Sequence, residues 1–124
     1  MKRYHKSVYF PPSENQVLIK FIENINTLPW SVSTHAFDNL KYRVVNLEAA
    51  LRTIQEKLFG VDEVFEYYTD NSGIVKACFR FEWDGGNDII VVVGLWKRLI
   101  TAYLNGKDDN HCTLNRSLYV LPLS

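Results

Sequence analysis

The chain has 124 residues, 47% hydrophobic and 23% charged, which is the make-up of one globular domain with its own core and not that of a disordered chain. Fourteen basic residues offset fourteen acidic ones, so there is no positive excess of the kind that proteins gripping long nucleic acid use to neutralise phosphates. The two cysteines lack a zinc-type spacing and read as free thiols in a reducing cytosol.

No apolar run has the length of a membrane span, and no apolar signal core follows the basic start Met1 to Lys6. A soluble, cytoplasmic protein is therefore expected. His5, His35 and His111 are far apart in sequence, so neither a metal nor another cofactor is expected.

In chain order, residues 1–12 read as an extended arm closed by Pro11-Pro12, which fit neither a helix interior nor a central strand. Ser13 with Gln16 forms a capping-box pattern, and Leu18, Phe21, Ile22 and Ile25 recur at helical spacing. Together they predict a helix over 14–26 that stops before Pro29. Ser33 opens a second helix carrying Ala36, Phe37 and Leu40 and ending near Arg43. Asn46 can cap a third, with Leu47, Ala50, Leu51, Ile54 and Leu58 as its buried stripe and Gly60 as its stop.

After Gly60 the period changes from helical to alternating. Strands are predicted over 62–69, 74–83, 88–95 and 98–105, joined by Asp70-Asn71-Ser72-Gly73, Asp84-Gly85-Gly86-Asn87 and a tight turn near Lys97. Such short connections force antiparallel neighbours. A polar loop, Gly106 to Arg116, then leads to a strand-like piece, Leu118 to Leu121. The expected fold is a single α+β domain over 1–124, its N-terminal helices packed on one face of a four-stranded antiparallel meander.

Alternation assigns the two faces of that sheet. Val75, Ala77, Phe79, Phe81 and Trp83 point to the helices, with Ile100, Ala102 and Leu104 of the last strand. Lys76, Cys78, Arg80 and Glu82 point away, with Thr101, Tyr103 and Asn105. These polar residues are either the wet side of a half-buried sheet, where Thr and Tyr are common for packing reasons alone, or a binding face. His35 falls in the first turn of its helix, where the exposed amides disfavour a positive imidazolium and suit a neutral general base.

The run Ser33-Thr34-His35-Ala36 with Arg43, followed by Leu99 to Asn105, Asp109-Asn110-His111 and Tyr119, resembles the small bacterial and phage ribonuclease-toxin domains of the barnase–EndoU–colicin–RelE fold group. The resemblance covers roughly residues 30–119. It implies metal-independent cleavage of RNA, in which the ribose 2′-hydroxyl attacks the adjacent phosphate. Carried over by position, it makes His35 general base or acid and His111 the second proton carrier. Arg80 and Arg43 would hold the phosphate, Thr101 and Tyr103 would donate hydrogen bonds to it, and Lys76 and Asn105 would contact the RNA. It also implies a cognate antitoxin or immunity protein.

A competing expectation is a non-catalytic phage or mobile-element protein that binds and inhibits a host factor. Its anchors would be Tyr4, Tyr9, Phe10, Trp30, Trp96 and Tyr119, since exposed aromatics dominate binding energy. A third expectation is a degenerate ribonuclease fold kept as a dimerisation or antitoxin-binding scaffold, because the edge of the meander could pair in a homodimer with a copy of itself or with the N-terminal arm.

Overall fold

The computed structural model describes residues 1–43, 47–107 and 115–122, with side chains for all of these except 39–43 and 47. Its elements are β1 (Lys2–His5), α1 (Asn15–Thr27), β2 (Ser31–Val32), α2 (Thr34–Arg43), α3 (Leu47–Glu56), β3 (Val64–Asp70), β4 (Gly73–Glu82), β5 (Asn87–Gly94) and β6 (Arg98–Gly106). No helix among the described residues is long and apolar enough to cross a membrane.

The predicted meander is present as β3-β4-β5-β6, but it is the middle of a larger sheet. The full order is β1-β3-β4-β5-β6-β2, with β1 antiparallel to β3 and β2 parallel to β6. The four-stranded expectation thus becomes six strands in a mixed sheet. Part of the extended arm is strand β1, paired from Lys2↔Thr69 to His5↔Glu66. The piece expected as a last strand is instead a 3₁₀ turn, Arg116–Leu118, followed by irregular chain. That chain still reaches the sheet, since the Val120 N–H donates to the carbonyl of Arg3 at 2.9 Å.

Helix α1 buries Leu18, Phe21, Ile22 and Ile25, the one-face spacing that its sequence predicts. It starts differently: a 3₁₀ turn, Pro12–Glu14, leads into it, and no side chain caps either element. Ser13 lies inside that turn and is not the cap. The end follows from Pro29, which forces Leu28 out of helical geometry to φ −94°, ψ 152°. Asn26 then ties the helix to the segment after α3, exchanging two 2.9 Å hydrogen bonds with the backbone of Phe59.

In α2, Ala36 is fully buried and Phe37 is 41% exposed, so Phe37 leaves the predicted stripe. In α3, Ala50 and Ile54 are buried and Leu51 packs beside them. Leu58 lies beyond the helix and is exposed, because α3 ends at Glu56. Gly60 opens a later 3₁₀ turn instead of stopping the helix. The predicted cap Asn46 lies outside the described residues.

The helices cover the face of the sheet that carries Ala77, Phe79, Phe81, Ile89, Val91, Val93, Leu99 and Ala102. Alternation therefore assigns β4 correctly, but it fails at one point in β6. A bulge lets Val92 and Val93 pair with Thr101 and Leu99, skipping Ile100. Leu99, not Ile100, enters the core. Ile100 turns to the open face over Gly94, where a Cβ would meet its Cδ1 at 2.9 Å. A bulge inserts one residue and so reverses the alternation locally.

Candidate functional site on the open sheet face

Cross-strand register places the polar side chains in rows, because paired residues share a face. Glu66, Cys78, Val92 and Thr101 form one row, while Arg80, Ile90 and Tyr103 form the next. Tyr68 pairs with Lys76 on the other side of the first row. A cleft of about 370 Å³ opens over these rows, lined among others by Arg3, Tyr68, Lys76, Thr101, Tyr103 and Tyr119. Three predicted site residues thus share one cleft: Lys76, Thr101 and Tyr103.

Beneath the cleft sits Glu66, only 6% exposed. Its Oε1 accepts the Tyr119 hydroxyl at 2.8 Å. Its Oε2 accepts the Tyr68 hydroxyl at 2.9 Å, Arg3 Nη2 at 3.4 Å and the Cys78 thiol at 3.7 Å. Burial and the bond to this carboxylate push the Tyr119 hydroxyl up to about 12 and raise Tyr68 as well. Burial, then the charge of Glu66, also raises the Cys78 thiol. All three therefore hold their protons at neutral pH and act as donors. Burial works against the charge of Arg3, but Glu66, Tyr68 and Tyr119 together outweigh it and the guanidinium stays cationic.

Sequence reasoning missed this cluster. The signal for Glu66 is a lone carboxylate in Val64-Phe65-Glu66-Tyr67-Tyr68, in a strand too apolar to carry it unpaired. Arg3 and His5 were hidden by the reading of residues 1–12 as an arm. His5 is buried, its Nδ1 2.9 Å from the Ser7 hydroxyl and its ring edge-on to Tyr119.

Arg80 belongs to a second cleft, of about 610 Å³, with Asp88 and Lys107. Its Nε donates to Asp88 at 2.7 Å and its Nη2 to the Gly106 carbonyl at 2.8 Å. Lys107 joins the same carboxylate at 2.9 Å. Burial opposes the charge of Asp88, but these two cations prevail and hold its carboxyl below the usual range. The expected phosphate holder is thus engaged in a structural ion pair at the far end of β5 and β6.

His35 is exposed and lines neither cleft. Its helix is nevertheless fixed to β6. Ser33 caps α2, its Oγ accepting the Ala36 N–H at 3.1 Å and donating to the Ile100 carbonyl at 2.8 Å. The Ser33 N–H also donates to Leu99. The first turn of α2 therefore begins against the backbone of β6 at Leu99 and Ile100. Asn105 pairs with Asp88 at the other end of β6. The Arg43 side chain and His111 lie outside the described residues.

Of the aromatic anchors expected for a host-factor binder, Tyr4 and Tyr119 are buried, while Phe10 and Trp30 pack against the core. Tyr9 is half-buried, and Trp96 alone is largely exposed, at 81%. Among the described residues, no group of three or more His, Cys, Asp or Glu side chains comes together as metal ligands do. No protein-family model, no curated protein and no solved structure matches the chain.

Proposed function

We propose that this domain is a metal-independent endoribonuclease that works along β6. The observation that carries the reading is the Ser33 staple, which starts the turn bearing exposed His35 beside the strand that presents Thr101 and Tyr103. His35 takes the proton of a ribose 2′-hydroxyl while the departing 5′-oxygen draws one from solvent water, or the two roles are reversed. The 2′-oxygen bonds to phosphorus as the 5′-oxygen leaves, giving a 2′,3′-cyclic phosphate. Hydroxyls of Thr101 and Tyr103 donate to the charged phosphoryl oxygens, with Lys76 as the cation of the same cleft. Arg80 has a different task from the expected one, bracing β4 against Asp88. A cognate antitoxin or immunity protein is the partner this reading implies.

The test is cleavage of a single-stranded RNA in the presence of a chelator. Wild type yields cyclic-phosphate ends, and His35→Ala cuts about 100-fold more slowly while keeping its circular dichroism. RNA left intact by wild type, or cut equally fast by His35→Ala, would overturn the reading.

A second reading, a non-catalytic protein that inhibits a host factor, is favoured by Trp96, exposed beside Leu95 at a hairpin tip. It requires that His35→Ala keep the full biological effect and that Trp96→Ala lose it.

A further inference from the structure

The N-terminal strand brings a second cation to the open face, outside the region of the ribonuclease resemblance. Arg3 pairs in register with Tyr68, and Tyr68 pairs with Lys76 on its other side. The Arg3 guanidinium carbon lies 5.1 Å from the centre of the Tyr68 ring and 4.8 Å from that of Tyr119. Lys76 Nζ lies 4.2 Å from the same Tyr68 ring. One aromatic ring thus gathers two cations from neighbouring strands.

The countercharge there is incomplete. Among the described residues Glu66 is the one carboxylate on the cleft lining, and it is already shared among two tyrosine hydroxyls, a thiol and Arg3. Lys76 makes no ion pair among the described residues. Arg3 Nε is buried with no hydrogen-bond acceptor among them. A buried donor left unmatched is costly, and the half-buried Lys76 without an ion pair leaves the cleft net positive. An anion entering the cleft answers both.

We infer that the cleft between Arg3, Tyr68 and Lys76 is a phosphate site. Arg3 and Lys76 are its two cations, one from the strand on each side of Tyr68, and the hydroxyls of Thr101 and Tyr103 form the rim. Arginine and lysine together suit phosphate, the first through directed N–H groups and the second as a point charge. The cleft volume, about 370 Å³, exceeds that of a lone phosphate and falls in the range of small-molecule sites. The half-buried Tyr103 ring at its rim offers stacking surface for a base. The phosphate is therefore one carried by a nucleotide unit. The inference rests on the RNA reading of this face and adds Arg3 of β1 to the cleft in which that reading holds the phosphate.

The test uses full-length His35→Ala, so that RNA is not cut, and follows the Arg3 Nε–H resonance by ¹⁵N NMR. Inorganic phosphate, a nucleoside monophosphate and a single-stranded octaribonucleotide are titrated separately. The Arg3 resonance is expected to move with all three, most tightly with the RNA. Adding Lys76→Ala should weaken RNA binding about 10-fold and lower its salt slope by about one. Lys76→Arg should retain it, and Lys20→Ala on exposed α1 should match the parent. An unmoved Arg3 resonance, or unchanged affinity and salt slope in Lys76→Ala, overturns the site. Binding of phosphate and mononucleotide without RNA leaves the site standing and removes the RNA reading. RNA binding that depends on Lys76, in a protein whose wild type never cleaves, upholds the site and removes the nuclease.

Discussion

Glu66 accepts from four donors with only 6% of its surface exposed. It is the joint that holds Arg3 of β1 and Tyr119 of the C-terminal segment onto β3. Removing it strands two tyrosine hydroxyls and a guanidinium in a buried setting. We expect Glu66→Ala to cost about 3 kcal/mol in urea unfolding, the usual penalty for breaking a buried charged network. A loss under 1 kcal/mol would show that the donors find other acceptors. At this scale the sequence was only partly legible. Thr101, Tyr103 and Lys76 could be placed on one face from alternation alone. That Asp88 occupies Arg80, or that Arg3 lies over Tyr68, depends on strand register, which no local pattern reports.

The elements themselves were easier to read. Apolar spacing located α1 and α3, Pro29 set the end of the first, and turn residues placed β3 to β6. Strands β1 and β2 escaped, because Lys2-Arg3-Tyr4-His5 carries no apolar alternation and Ser31-Val32 is only two residues long. Both are strands because a neighbour offers an edge. The β5–β6 connection is unusual in composition. Trp96 and Lys97 both take positive φ, 63° and 57°, the hairpin-turn geometry that normally selects Asn and Gly. Lys97 has a packing reason to be there, since it is buried with its amine 4.7 Å from the centre of the Trp30 ring. Trp96 has no such compensation. Left-handed backbone in a bulky residue costs about 1 kcal/mol, so Trp96→Asn should raise the melting temperature by roughly 4 °C. A scanning calorimetry trace showing no rise would mean that Trp96 packs in a way its exposure conceals.

For the whole molecule, equal numbers of acids and bases leave stability to particular pairs and not to a general field. The Arg80–Asp88–Lys107 group is the clearest of these. The Asp88 carboxyl is held below its unfolded value, so it stabilises the fold fully above about pH 4 and loses that contribution as the pH falls through the folded value. The gap in urea midpoint between wild type and Asp88→Asn should therefore be widest at pH 7 and narrow below pH 4. A gap that stayed constant with pH would show that the group does not titrate with folding.

The seating of β1 has a further consequence, for the order in which the protein assembles. Arg3 finds Tyr68 only across some sixty intervening residues, and its outer edge is closed by Val120. Contacts so distant along the chain form late, since their loop entropy must be met before they return any stability. On a ribosome, the β3–β4 hairpin and the helices that pack on it can form while β1 waits unpaired. The proposed phosphate site, which needs β1 for Arg3 and the C-terminal segment for Tyr119, would then be among the last features of the molecule to exist.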